Sequence, residues 1–388
     1  MQIIDEVKQF HNQMTDWRRK IHSYPELGFE EFLTSDFIAQ KLEEFRIEVY
    51  RGLAKTGIIG KIVNGNGPSI GLRADMDALP VEEKNLFKHS SKNPGKMHAC
   101  GHDGHISMLL GAAKFLASKK RFKGTIYFIF QPAEEGLGGA NKMIKDGLFK
   151  KFPMESVYGL HNWPGLPAGH FGIGSGAMMA AADFFDLEII GSGGHAAMPD
   201  SCIDPIIIAS QIINSLQTIA SREISPLDSI VISITQIHSG DAYNIIPDSL
   251  KMSGTVRSFL PETRKKIPES ILRTANGICK AFDATCNLNY MKGYPPTINS
   301  NHETSISMEV AQDLVGEGKI IKNPVPSMVT EDFSYMLQEL PGCYIWLGTG
   351  NLKKESACLH SSNYDFNDAV LPIGAAYWIK LVEKELSI

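Results

Sequence analysis

The strongest constraint on the fold of this 388-residue chain is a change of pattern near Met178. Before it, strand-like and helix-like stretches alternate. "YRGLAKTGIIGKIV", "PSIGLRADM", "GTIYFIF" and "ESVYGLHNW" read as strands; "EFLTSDFIAQKLEEF", "HISMLLGAAKFLASKK" and "GGANKMIKDGLF" read as helices. That order implies a sheet covered by helices, an α/β layered domain. After Met178 a strand at "ADFFDLEIIGSGG" leads into a long helix at "DPIIIASQIINSLQTIASREI", with Asp204 as N-cap and Pro205 at the first helical position. Strands at "DSIVISITQIHSG" and "SLKMSGTVRSF", a helix at "PETRKKIPESILRTANGICKAF" and a strand at "TCNLNYMKG" complete the series. This βαββαβ order is the split-βαβ, ferredoxin-like pattern, and it is complete in itself. Beyond Tyr294-Pro295-Pro296 the first pattern returns, with "CYIWLGTG" as a strand and "NDAVLPIGAAYWIKLVEKEL" as the closing helix. The chain therefore reads as α/β: a larger layered sheet-and-helix domain over residues 1–178 and 293–388, with a smaller α+β domain inserted at 179–292.

Composition narrows the function. A formal net charge of -5 argues against nucleic acid or an anionic membrane as the main partner. No apolar run approaches the roughly 18 residues needed to span a bilayer. At the start, Ile4, Val7, Phe10, Met14, Trp17 and Ile21 fall at helical spacing, so an amphipathic helix is expected there rather than a signal peptide. The 6 cysteines are scattered and form no disulfide-like framework, which makes a reduced, cytoplasmic setting the expectation.

The chemistry gathers in four places. "MHACGHDGH" crowds Cys100 and His102 among further histidines, and thiolate and imidazole both suit zinc. In an extended segment Cys100 and His102 point the same way, and the next helix is expected to start at His105. "GLRADMDALP" delivers Asp75 and Asp77 after a strand; alone, such aspartates are more often turn residues. "FIFQPAEEG" breaks an apolar strand and delivers Glu134 and Glu135 at its end, where one can ligate a metal and the other act on water. His161 and His360 stand apart, and a lone histidine is more often a satisfied polar residue than a ligand. Together, however, Cys100, His102, Glu135, His161 and His360 make five donors, more than one tetrahedral zinc takes. Five donors and a shared water suit two divalent ions. One thiolate and one carboxylate leave such a pair with excess positive charge, which acidifies water and stabilises an oxyanion. Glu134 beside it is the natural general base. Zinc, manganese, cobalt and nickel all suit this donor set.

The ordered motifs "RADMDALP", "MHACGHDGH", "QPAEEG", "HNWP", "GGHAAMPD", "NIIPD", "GTVR", "EDFS" and "LHSSNYDFND" resemble the amidohydrolase branch of the aminoacylase/carboxypeptidase metallopeptidase clan. That branch includes hippurate hydrolases, N-acetyl-amino-acid deacetylases and plant hydrolases of indole-acetyl-amino-acid conjugates. The resemblance implies a dinuclear metal domain with an inserted lid, and homodimers formed largely through the lid. It implies Cys100, His102, Glu135, His161 and His360 as ligands and Glu134 as the base that activates a metal-bridging water. Asp75 occupies the place where the wider clan has a histidine ligand, so that motif is expected to supply no ligand. Asp77 then orients a neighbouring ligand or the base. His98 and His105 match no family ligand. In the lid, the resemblance makes His195 the group that polarises the scissile carbonyl, reaching the partner subunit's site across the dimer. Asn244 and Arg257 become substrate contacts, Arg257 gripping a carboxylate with its planar fork.

The expected activity is metal-dependent hydrolysis of an N-acyl amino acid to a carboxylic acid and a free amino acid. One rival is a dipeptidase or carboxypeptidase of the same clan, against which the Cys100/His102 motif argues. Another is a non-catalytic metal-binding protein that has kept the fold; the presence of Glu134 argues against that, since metal buffering needs Glu135 but no base. The acyl group, whether acetyl, benzoyl or indole-acetyl, is not legible in the sequence.

Overall fold

The computed structural model describes residues 2–350 and 357–387. The chain divides into two compact units, one of residues 1–178, 298–325 and 332–388, the other of residues 179–297 and 326–331.

The larger unit is built on an 8-stranded sheet. Its order is Glu48–Leu53, Gly57–Asn64, Gly124–Gln131, Ser69–Asp75, Ser156–Pro167, Gly342–Gly350, Phe171–Ile173 and Ile320–Lys322. Four neighbouring strands at its centre run parallel. Their register places Asp75 beside Gln131, Arg73 beside Gly159, and His161 beside Trp346. One face, with Ile70, Leu72, Ile126, Phe128, Leu160, Ile345 and Leu347, buries itself against helices His102–Lys119 and Leu371–Glu385. These central strands read as near-continuous apolar runs because both faces of a parallel sheet are covered.

Three local departures from the sequence reading have simple causes. The stretch from Tyr50 to Val63 is a hairpin, not one strand; Ala54 and Lys55 take positive φ between Glu48–Leu53 and Gly57–Asn64. Fourteen residues in one strand would span about 46 Å, beyond the usual length. The amphipathic opening is two helices, Gln2–Lys8 and His11–Ser23, which bury Ile3, Val7, Met14, Trp17 and Ile21; Met1 lies outside the described residues. Finally, the helix expected from His105 starts at His102, because Gly101 at φ +91° turns the chain immediately before it. The helix Asn301–Val315 was not expected from the sequence.

The smaller unit has a 4-stranded antiparallel sheet in the order Ile230–His238, Ser249–Ser258, Ala181–Ile190, Thr285–Lys292. Helices Pro205–Thr218 and Pro261–Ala281 cover one face through Ile208, Ile212, Leu216, Ile267 and Ile271. The Asp204 side chain accepts the Ile206 N–H and caps the first of them, with Pro205 at its first position. The second helix is pinned to the sheet by a buried ion pair. Arg264 donates two hydrogen bonds to Asp183 Oδ1 and one to Oδ2, while Tyr290 Oη donates to Oδ2 at 3.0 Å.

Removing the cation alone would leave the Asp183 carboxylate buried without its partner. Arg264→Met should destabilise the smaller unit by roughly 3–5 kcal/mol, read from urea denaturation. A change below about 1 kcal/mol would show that water or another donor replaces Arg264.

Candidate metal and catalytic site

The candidate residues of the larger unit converge at the carboxyl ends of its central parallel strands, where open α/β sheets bind ligands. Cys100 Sγ lies 3.4 Å from His161 Nε2, and His360 Nε2 lies 3.3 Å from Glu135 Oε1. Donor atoms of Cys100, His102 and Glu135 all fall within 4.8 Å of one another. The five proposed donors are therefore neighbours, although His102 opens a helix instead of continuing a strand.

The hydrogen-bonding pattern turns the right atoms inward. His102 Nδ1 donates to the Asp77 carbonyl at 2.8 Å, and His161 Nδ1 donates to the Asn162 carbonyl at 2.7 Å. Each ring thus presents Nε2 to the cluster, the orientation a ligating imidazole needs. Among the described residues, His102 Nε2 and Glu135 Oε1 are buried without a hydrogen-bond partner, and they face each other across 3.8 Å. Buried polar atoms are rarely left so. A divalent cation fits there, because it is the partner that both a lone pair and a carboxylate oxygen accept.

Electrostatics agree. Burial pulls the His102 imidazolium down, but Asp75, Asp77 and Glu135 outweigh it and hold the pKa up at about 10. A bound cation competes with that proton for the same lone pair. Burial, then Glu135, Glu134 and Asp75, push the Cys100 thiol well above its ordinary range. Burial and the neighbouring His105 and His102 hold His161 well below the usual imidazole value, leaving it neutral.

Asp77 and Asp75 differ in role. Asp77 is fully buried and ties two donors together: its Oδ2 accepts the Glu135 N–H at 3.0 Å, and its carbonyl holds His102. Asp75 is held by Arg73 Nη1 at 2.9 Å and by His105 Nδ1 at 2.5 Å. Its Oδ2 also stands 3.6 Å from His102 Nε2, close enough to share in the charge around that ring.

Glu134 is buried beside this cluster, and the Asp332 N–H donates to its Oε1 at 3.2 Å. Asp332 is itself fastened by Arg73 Nη2, by Gln131 Nε2 and by the Ala140 N–H. Arg73, Gln131, Asp332 and Asn162 were not singled out from the sequence, and His105 was set aside there as matching no family ligand. One signal was available: Arg73 is a charge inside the apolar strand "SIGLRAD", where a charge needs buried partners. His360 sits at φ +64°, and its N–H donates to the Ala99 carbonyl at 2.8 Å, which brings a distant loop to the donors.

His195, Asn244 and Arg257 belong to the smaller unit. His195 pairs with Ile245 in a short ladder, and the Asn244 carbonyl accepts the Ala196 N–H at 3.0 Å, so these two are adjacent. Both are exposed. Arg257 lies at the far end of the strand Ser249–Ser258, over the Phe184 ring at 5.8 Å. From Ser249 to Arg257 the strand covers about 26 Å, so the unit does not bring Arg257 to His195.

Residues 71–384 match the sequence pattern of peptidase family M20/M25/M40. Over 387 residues the chain is 43% identical to the hippurate hydrolase of Campylobacter jejuni, covering 100% of both proteins. It is 41% identical over 388 residues to thermostable carboxypeptidase 1 of Saccharolobus solfataricus, covering 97% of each. Its fold is similar to that of a Bacillus subtilis protein described as a dinuclear metal binding peptidase, with a TM-score of 0.87, 34% identity and coverage of 98% and 99%.

Burial sorts the thiols. In metal-free protein at neutral pH, a small alkylating reagent should label exposed Cys358 first and buried Cys100 and Cys343 last. Peptide mapping over time reads the order, and early labelling of Cys100 would contradict a buried, protonated thiol.

Proposed function

We propose, from the premise that the chain belongs to peptidase family M20/M25/M40, that it hydrolyses the amide bond of N-acyl amino acids in a metal-dependent reaction. One observation carries this reading: a buried carboxylate, Glu134, directly precedes Glu135, whose Oε1 and the facing His102 Nε2 are buried without a hydrogen-bond partner beside Cys100. Cys100, His102, Glu135, His161 and His360 would hold two divalent ions. Zinc, manganese, cobalt or nickel, once bound, would polarise the carbonyl and acidify water. Glu134 takes the proton from the attacking water and returns it to the leaving amine nitrogen. Asp77 keeps His102 and Glu135 aimed.

The smaller unit is then the lid, with a ferredoxin-like strand order, and His195 supplies a donor where the oxyanion develops. Asn244 contacts substrate beside it, and Arg257 grips the substrate carboxylate. The separation of Arg257 from the His195–Asn244 pair within one lid supports a homodimer. A small substrate that meets both must draw them from two copies, through a two-fold interface in which each chain gives what it receives. All six cysteines are free, which supports a reducing, cytoplasmic setting. Among the described residues no helix is long and apolar enough to cross a membrane.

The 41% identical carboxypeptidase favours a second reading, in which the same centre cleaves a C-terminal residue from a peptide. A panel of N-acetyl-, N-benzoyl- and indole-acetyl-amino acids beside short peptides separates the two by kcat/KM.

Reconstituted protein should contain about two divalent ions per chain, and Glu134→Gln should keep both while turnover falls on the order of a hundredfold or more. Full activity at one ion per chain would overturn the dinuclear reading. Near-normal turnover of the Gln variant would remove Glu134 from the reaction.

The dimer has its own test. His195→Ala and Glu134→Gln should each be nearly inactive. Mixed after dissociation, they should regain roughly a quarter of wild-type activity, because about half of the dimers are mixed and each then has one intact site. Absence of recovery despite demonstrated subunit exchange would place His195 in its own chain's site or outside the reaction.

A further inference from the structure

Glu31 is a fully buried carboxylate that the reaction described above does not use. It precedes the helix Phe32–Glu44, far along the chain from every proposed ligand. Its Oε1 accepts the Ala133 N–H at 2.9 Å, and its Oε2 accepts the Thr56 hydroxyl at 2.6 Å.

Ala133 is an unusual place to be held. It sits at φ +56°, in the left-handed region that an L side chain enters only under strain. Its carbonyl is gripped as well, by the Gly139 N–H at 2.9 Å. The chain just before Glu31 presses on the same residue: a Cβ at Gly28 would lie 3.0 Å from both Ala133 Cα and Cβ. Directly after Ala133 come Glu134, fastened by the Asp332 N–H, and Glu135, fastened through its own N–H by Asp77. The turn at Ala133 thus immediately precedes two adjacent glutamates that have different partners.

We propose that Glu31 is a positioning residue: by holding the strained Ala133 peptide it aims Glu134 at the reacting water and Glu135 at the metal donors. This rests on the roles given to Glu134 and Glu135 above. Burial pushes the Glu31 carboxyl up to about 7, while the Thr56 and Ala133 donors pull it back. A carboxyl held at such a desolvation cost is expected where its hydrogen bonds hold something in place. Supporting groups of this kind commonly change metal affinity 10–100-fold, on the order seen for groups that orient ligands.

The test uses metal-loaded, full-length protein. Glu31→Leu should lower kcat about tenfold or more with KM within about twofold, and should shed metal faster to a chelator. Glu31→Gln keeps an oxygen for the Ala133 N–H and should restore both readouts to near wild type. Thr56→Val, which removes only the other donor, should do the same. Glu31→Asp, with the carboxylate withdrawn by one methylene, should shift in the direction of Leu and serves in its place if the Leu variant does not fold. Wild-type kcat and metal retention in the folded Leu or Asp variant would overturn the proposal. So would a Gln variant as impaired as Leu, or a lowered melting temperature with unchanged kcat per folded molecule. Metal retention keeps this test separate from the activity itself: a wild-type protein that hydrolyses no N-acyl amino acid refutes the function, whereas unchanged retention in Glu31→Leu refutes the role of Glu31.

Discussion

Too many acids are buried in one place, and most of the larger unit follows from that. Asp75, Asp77, Glu134 and Asp332 are all within a few per cent of full burial at the ends of the parallel strands. Carboxylates taken out of water must be paired, hydrogen-bonded or neutralised. Arg73 does much of this, reaching Asp75, Asp332 and Gln131 with one planar fork. A lysine could satisfy only one of those directions at a time. Burial raises the Asp75 carboxyl, but His102, His105 and Arg73 outweigh it and hold the group ionised. Among the described residues, His102 Nε2, Glu135 Oε1 and Asp77 Oδ1 are among the buried atoms that no hydrogen bond satisfies, and a cation fits between the first two.

That arrangement depends on strand register and on a few special turns. A slip of one residue along a strand would swap core and site faces, because side chains alternate. Gly101 shows how tightly the turns are set: a Cβ there would lie 2.3 Å from Asn162 Oδ1, so the approach to His102 tolerates no side chain. Asn162 in turn lies 2.6 Å from His105 Nε2 and donates to Tyr364 Oη, linking helix, strand and the chain after His360. The candidate donors, their supporting bonds and the glycines that admit them form one packed object, in which moving any group by an ångström misaligns several others.

The smaller unit obeys a different logic. Its sheet has one face buried under two helices, and His195 and Asn244 stand exposed while Arg257 is half-buried near a strand end. A rigid strand fixes the distance between Arg257 and the pair His195–Asn244, and a distance of that size cannot be closed by side-chain motion.

How much of this was legible in the amino-acid order follows from the range of the forces involved. Periodicity placed most strands and helices, and the βαββαβ order of the smaller unit, because side-chain alternation and helical spacing are local properties. Donor chemistry marked Cys100, His102, Glu135 and Glu134, since a thiol, an imidazole and paired acids at strand ends announce themselves by type. The positive φ at Gly101 shifted the start of a helix by three residues, which no spacing reveals. Arg73 signals only that a charge in an apolar strand needs buried partners, and Asp332 and Glu31 carry no local signal for what they do, because partners lie up to 259 residues away. Only the packed structure decided those pairings: a buried charge selects its partner by proximity and desolvation, and both exist only once the chain has folded.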